Sequence, residues 1–267
     1  MLVSIALATY NGERFLKKQL DSLLAQTYKN IEIIVCDDYS SDGTLSLLKS
    51  YPQIKILQNK KNLGFVKTFE KVLYQAKGDY IALCDQDDIW LPDKIEFLIK
   101  EFGNNVLLHS DAYIIDDNDN IIYDTISAKI KKSLTNKTFT DYIRKFSITG
   151  CCAIFKKELL QTALPFPQNT LFHDWWLAIC AAKSGKIKYI EKPLIKYRIH
   201  NNNATFNYYN RAIFYKKSIR FYCEIEKKFS TNLSFYEIVS LKLCSRYMLV
   251  KYIVFSIYLF FTQAIRK

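Results

Sequence analysis

Residues 85–88 read Asp85-Gln86-Asp87-Asp88, set between the apolar run Tyr80-Ile81-Ala82-Leu83-Cys84 and the segment Ile89-Trp90-Leu91-Pro92. The apolar run predicts a buried strand, so the carboxylates sit in a tight turn at its end, where like charges repel. A hard divalent cation, Mg²⁺ or Mn²⁺, offsets such repulsion and is typically held by one or two carboxylates plus substrate phosphate oxygens. The competing reading is a solvated acidic turn that caps the next helix, the common fate of an isolated Asp-X-Asp. Two further residues carry open alternatives. Asp174 stands at the start of a helix expected over Asp174–Lys183, where a carboxylate serves as a cap or as a base. His200 closes Tyr197-Arg198-Ile199-His200, and a lone His is as readily a surface or core residue as a ligand.

The elements that must position these groups favour chemistry over capping. Short β-branched runs at Leu2–Ala8, Ile31–Cys36, Ile54–Leu57 and Tyr80–Cys84 alternate with amphipathic stretches, among them Phe15, Leu16, Leu20, Leu23, Leu24 and Phe65, Phe69, Val72, Leu73. That alternation predicts an α/β fold with a mostly parallel sheet covered by helices on both faces. Ligands of open α/β sheets lie at the carboxyl ends of the strands. The first strand there runs into Thr9-Tyr10-Asn11-Gly12-Glu13, the second into Asp37-Asp38-Tyr39-Ser40-Ser41-Asp42-Gly43-Thr44, and the fourth into the acidic turn. Three polar loops are therefore expected to meet at one sheet edge. Beyond them the pattern predicts strands at Val106–His109, Tyr113–Ile115 and Ile121–Tyr123, a Lys-rich loop over 127–137, and a strand at Cys152–Phe155.

Composition bounds the partners. With 267 residues and 49% hydrophobic content the chain has ample material for a core, which excludes a disordered protein. A net charge of +12 favours anionic partners: nucleic acid, an anionic lipid surface or a phosphorylated substrate. Seven scattered cysteines, most inside apolar runs, read as small buried hydrophobes of a reducing compartment, and none of their spacings matches a zinc site. The N-terminus opens on a strand-like run without a basic n-region, so no signal peptide is expected, and the expected location is cytoplasmic.

Taken in order, Val3-Ser4-Ile5 through Thr9-Tyr10-Asn11-Gly12, Asp37-Asp38 with Ser41-Asp42-Gly43-Thr44, Asn62-Leu63-Gly64, Gly78-Asp79-Tyr80, Asp85-Gln86-Asp87-Asp88 and His173-Asp174-Trp175-Trp176 resemble an inverting family 2 glycosyltransferase of the GT-A fold. The likeness spans about residues 1 to 205, and its Asp-Gln-Asp-Asp-Ile-Trp and His-Asp-Trp-Trp forms are similar to those of bacterial rhamnosyltransferases of surface polysaccharides. The resemblance implies a nucleotide diphosphate sugar donor contacted by Thr9, Tyr10, Asn11, Glu13, Asp38, Asn62 and Asp85. It implies a Mg²⁺ or Mn²⁺ ion on Asp87 and Asp85, with His200 at the metal or diphosphate, and Asp174 as the base that activates a glycan or lipid-linked acceptor. Successive Trp on a helix point about 100° apart, so one of the pair, assigned to Trp175, is expected to wall a sugar ring while the other enters the core. A nucleotidyltransferase would share the acidic site but needs a Gly-rich basic loop after the first strand, which Thr9–Glu13 lacks. A non-catalytic relative would be expected to have lost the acidic pair or the base.

From about Phe206 onward there is no Gly or Pro, and cations alternate with aromatics, which predicts a separate module of two or three helices over 206–267. The unbroken apolar run Tyr252–Phe261 is short of the roughly 20 residues a membrane span needs, so an interfacial helix is expected. Three readings stay open for the module: single-stranded nucleic acid, an anionic membrane surface at the inner face of the cell membrane, or a solvated helical hairpin. An acidic metal site is foreign to the first, so no nucleic-acid partner is expected, and a lipid-linked acceptor suits the second.

Overall fold

The computed structural model describes the backbone of residues 1–130, 135, 137–145, 147–201, 203 and 211–265, and the side chains of these except 129–130, 211–213 and 253–265. The chain runs β1 (Val3–Thr9), α1 (Glu13–Leu24), β2 (Ile31–Asp37), α2 (Thr44–Lys49), β3 (Lys55–Gln58), α3 (Phe65–Leu73), β4 (Tyr80–Cys84), β5 (Ile89–Trp90) and α4 (Lys94–Glu101). It continues with β6 (Leu107–Ile115), β7 (Ile121–Tyr123), α5 (Ile126–Ile130), α6 (Phe139–Arg144), a 3₁₀ turn (Gly150–Cys152), β8 (Ala153–Lys156) and α7 (Leu159–Ala163). The last elements are α8 (His173–Ser184), β9 (Ile187–Arg198), α9 (Arg211–Phe229) and α10 (Phe235–Ile265).

The strands form one sheet in the order β3-β2-β1-β4-β8-β6-β9-β5, with β7 paired to β6. The first four are parallel and β8 enters antiparallel, so the sheet is mixed but mostly parallel in the half that carries the polar loops. The pleat explains why β1 reads as an almost continuous apolar run. Val3, Ile5 and Leu7 pack with Leu16 and Leu20 of α1, while Ala6 packs with Phe69 and Val72 of α3 on the opposite face.

One strand differs from expectation. Residues 107–109 and 113–115, from the two expected strands, belong to a single strand, β6, whose interior contains Ser110 and Asp111. Burying Asp111 is tolerated because Ser127, Tyr189 and the backbone N–H of Ala112 and Ile126 donate to its carboxylate, and its pairing with β9 shifts register on either side of it. The Lys-rich stretch begins as α5, and residues 131–134 and 136 lie outside the described residues. Five cysteines are buried as expected, but Cys223 is exposed and Cys244 half-buried.

The 206–267 stretch forms α9 and α10, whereas residues 204–210 and the side chains of 253–261 lie outside those described. Phe221, Tyr222, Ile225 and Phe229 of α9 share one apolar cluster with Trp175 and Trp176 of α8, so among the described residues α9 packs into the core of the sheet domain. Trp176 lies against both Phe221 and Phe229, at centroid separations of 6.1 and 6.0 Å. No helix among the described residues is long and apolar enough to cross a membrane. Replacing Phe221 by Ala should destabilise the protein by about 3–5 kcal/mol, the usual loss for emptying a buried aromatic site, seen as a lower urea midpoint.

Candidate active site

Hydrogen bonds between neighbouring loops draw the three polar strand ends together. Gln86, at the centre of the acidic turn, accepts from the backbone N–H of Tyr10 at 2.8 Å and donates to the Tyr10 carbonyl at 3.1 Å. This two-point latch fixes the turn after β4 to the loop after β1. The β1 and β2 loops are joined in turn: Asn11 N–H donates to Ser40 Oγ, Ser41 N–H to Asn11 Oδ1, and Gly43 N–H to Glu13 Oε2. Asn11 takes a left-handed φ of 46°, a conformation Asn adopts more readily than most residues.

Thr9 and Asp38 are buried behind this edge. Thr9 Oγ1 donates to Asp37 Oδ1. The Asp38 carboxylate accepts from Asn59 Nδ2, Leu63 N–H and Gly64 N–H, each at 2.8 Å, and so holds the loop on which Asn62 is exposed. Gly64 has φ 81°, which lets the chain turn from that loop into α3 without steric cost. Tyr10 and Glu13 are exposed on the same edge.

The acidic turn divides its carboxylates between two settings. Asp87 Oδ2 lies 2.8 Å from His200 Nε2, and Asn203 Nδ2 is 3.4 Å from the same oxygen. Asp85, Asp88 and Cys151 offer ligand atoms within 4.8 Å of one another. Asp88 accepts the Arg198 N–H on one oxygen, while its other oxygen is buried with no hydrogen-bond partner among the described residues. Burial first, and then the Asp87 charge, raise the Asp85 carboxyl to about 7; the Cys151 thiol and the Lys94 ammonium act in the opposite direction. Burial, with Asp87 and Asp85, also raises Asp88 well above the carboxylate range. The carboxylate oxygens of Asp85 and Asp88, one of them orphaned among the described residues, form a hard donor pair that fits a divalent cation such as Mg²⁺ or Mn²⁺.

Asp174 reaches the same region from α8. It is buried, and burial together with the Asp85 charge raises its carboxyl to about 8, against the opposing pull of the backbone N–H groups of Trp175, Asp174 and Gly150. Gly150 is needed beside it, since a Cβ there would fall 2.9 Å from Asp174 Oδ2. His173 is buried in stacked contact with Phe69, 3.7 Å between centroids, and burial lowers it to about 3, so it is neutral. The Trp175 expectation is corrected: both tryptophans are buried. The Trp175 indole N–H donates to the Tyr142 carbonyl at 2.6 Å and its ring packs beside Phe221, leaving no free face for a sugar. The angular argument failed because α8 is enclosed on several sides, by α3, α6, α7 and α9.

The glycosyl transferase family 2 model matches residues 4–164, which include all three strand-end loops. The chain belongs to glycosyl transferase family 2. This family 2 glycosyltransferase is 32% identical over 214 residues to the dTDP-rhamnosyl transferase RfbG of Shigella flexneri, covering 74% of this chain and 72% of that one. It is 30% identical over 213 residues to WfgD of Escherichia coli, a UDP-Glc:alpha-D-GlcNAc-diphosphoundecaprenol beta-1,3-glucosyltransferase, covering 77% and 80%. Its fold is similar to that of the mannosyltransferase PcManGT from Pyrobaculum calidifontis, solved with GDP-Man and Mn²⁺, at TM-score 0.63 and 18% identity over 94% of this chain and 73% of that one.

Gln86, Asp88, Arg198 and Asn203 carry no individual role in the sequence reading, and Gly150-Cys151-Cys152 reads there as a turn before a buried strand, with no catalytic role. Gln86 and Asp88 lie within the acidic motif, so position alone is a signal for them; nothing local marks Arg198 or Asn203. Because the Asp85 and Asp174 carboxyls are raised on folding, the native state prefers their protonated forms. In chelator, stability should therefore fall as pH climbs from the ordinary carboxylate range near 4 towards about 8. Asp174→Asn should flatten part of that fall in urea midpoints measured from pH 5 to pH 8.5.

Proposed function

We propose that the protein transfers a sugar, with inversion, from a nucleotide diphosphate donor to a glycan or lipid-linked acceptor in cell-surface polysaccharide synthesis. The observation that carries this reading is the meeting of two acids from distant parts of the chain, half-buried Asp85 and buried Asp174, beside a turn latched to the β1 loop. Thr9, Tyr10, Asn11, Glu13, Asp38 and Asn62 bind the nucleoside side of the donor. Asp85 and Asp87, with His200, hold Mg²⁺ or Mn²⁺. When bound, that ion supplies positive charge to the departing diphosphate.

Asp174 is the general base. Its carboxylate takes the proton of the acceptor hydroxyl as the hydroxyl oxygen attacks the anomeric carbon from the side opposite the leaving group, which inverts the configuration. A carboxyl raised to about 8 makes a stronger base than an ordinary aspartate, and burial excludes the water that would otherwise compete as acceptor. The resemblance to RfbG supports rhamnose from dTDP-rhamnose as the donor sugar, and that to WfgD supports a lipid-linked acceptor.

The early part of α10 supports a peripheral place at the inner face of the cell membrane. Tyr236, Leu243, Tyr247 and Val250 recur at intervals of seven, four and three, one helical face, and all are exposed. Lys242, Arg246 and Lys251 are exposed beside them, each worth about 1 kcal/mol near an anionic surface.

Incubating the protein with a panel of sugar nucleotides and Mn²⁺ or Mg²⁺ should release nucleoside diphosphate with at least one donor, dTDP-rhamnose being the first choice. Asp174→Asn should lower kcat by about 10²–10⁴-fold, and wild-type kcat/KM should rise with pH as that carboxyl is deprotonated. Wild-type turnover in Asp174→Asn would remove that residue as base. Sedimentation with vesicles containing phosphatidylglycerol, but not with pure phosphatidylcholine vesicles, should carry the protein down at low salt. A protein left in the supernatant with both would end the membrane reading.

A further inference from the structure

Beneath the acidic turn lies a cation to which the mechanism above gives no part. Arg198, the last residue of β9, is fully buried. Its backbone N–H donates to Asp88 Oδ1 at 3.0 Å, and its Nε donates to the Asp87 carbonyl at 2.7 Å. Its Nη1 donates to the Asp116 carbonyl at 2.7 Å, and Nη2 is 2.5 Å from Asp119 Oδ1. The guanidinium also lies on the Phe15 ring, 4.5 Å from its centroid, and His200 packs against the same ring at 5.0 Å. One side chain therefore joins the acidic turn, the β6–β7 turn and the first helix. The β6–β7 turn is itself anchored to α1, by the Lys18–Asp119 and Arg14–Asp117 ion pairs.

We propose that Arg198 is the positioning residue of the metal-binding turn: its guanidinium fixes the Asp87 peptide and, through Asp116 and Asp119, makes cation affinity depend on the β6–β7 turn. The physical reason is the shape of the group. A guanidinium presents its donors in a rigid planar fork, so an Nε bond to the Asp87 carbonyl combined with Nη bonds to a second turn locks the plane of the peptide that follows Asp87. That plane sets the direction in which the Asp87 side chain leaves the backbone, and hence where its carboxylate meets His200. A lysine at this position would keep the positive charge but lose the fork. Full burial raises the stakes, because an Arg stripped of these acceptors would be an uncompensated charge in the core.

The proposal rests on the reading that Asp85 and Asp87 hold the cation, and direct Mn²⁺ binding separates the two. Titration of Mn²⁺ into full-length protein, followed by the loss of the free-ion EPR signal, gives a dissociation constant without turnover. Arg198→Lys, with the charge kept, should bind Mn²⁺ about 10-fold or more weakly, the range found when partners that orient metal ligands are replaced. Asp119→Asn, on a partly exposed turn, should weaken binding in the same direction and decides the matter if Arg198→Lys does not fold. Phe221→Leu, distant in the α9 core, controls for lost stability and should bind Mn²⁺ as wild type does. Wild-type affinity in both Arg198→Lys and Asp119→Asn would overturn the proposal while leaving the metal reading intact. A wild-type protein that binds no Mn²⁺ would remove the metal reading and this proposal with it.

Discussion

Carboxylates gathered at the end of a buried strand repel one another, and the rest of the molecule is arranged around restraining that repulsion. Asp85, Asp87 and Asp88 occupy three of four consecutive positions, with Asp174 close enough for the Asp85 charge to raise it. Two buried side-chain cations flank the group. Arg198 binds the turn from the β9 side. The Lys94 ammonium, fully buried, donates to the Cys151 carbonyl, lies 3.5 Å from the centroid of the Trp90 ring, and is an electrostatic neighbour of both Asp85 and Asp88. Neutralisation by fixed cations and by protonation lets the turn exist in a core, and a divalent ion can then exchange for the protons.

The same arrangement joins the acidic turn to Asp174. Lys94, an electrostatic neighbour of the turn, binds the carbonyl of Cys151, the 3₁₀ turn containing Cys151 begins at Gly150, and Gly150 is the residue whose missing side chain leaves room for Asp174. Asp174 is carried by α8, which the aromatic residues of α9 enclose, so α9 supports the helix that holds this carboxyl.

Much of the scaffold was legible because parallel strands buried on both faces leave a strong local mark. Tyr80–Cys84 matches the expected limits, and the polar runs after β1, β2 and β4 identified the edge at which they meet. Expectation failed where polarity inside an element is compensated from a distance. Asp111 divided β6 in the sequence because its partners Ser127 and Tyr189 are remote, and Trp175 was assigned to a sugar because Phe221, which packs beside it, comes 46 positions later.

The sequence by itself determined the alternation of strands and helices and the membership of the acidic turn, since these depend on residue type and short-range spacing; for Asp174 it left cap and base both open, and the family resemblance is what points to a base. Only the tertiary structure decided which carboxylate faces His200, that Gln86 latches two loops, that Arg198 lies beneath the turn, and that both tryptophans belong to the core. Each of those contacts joins residues far apart along the chain, and their directions follow from how the sheet twists and the helices pack, which no local window of residues contains.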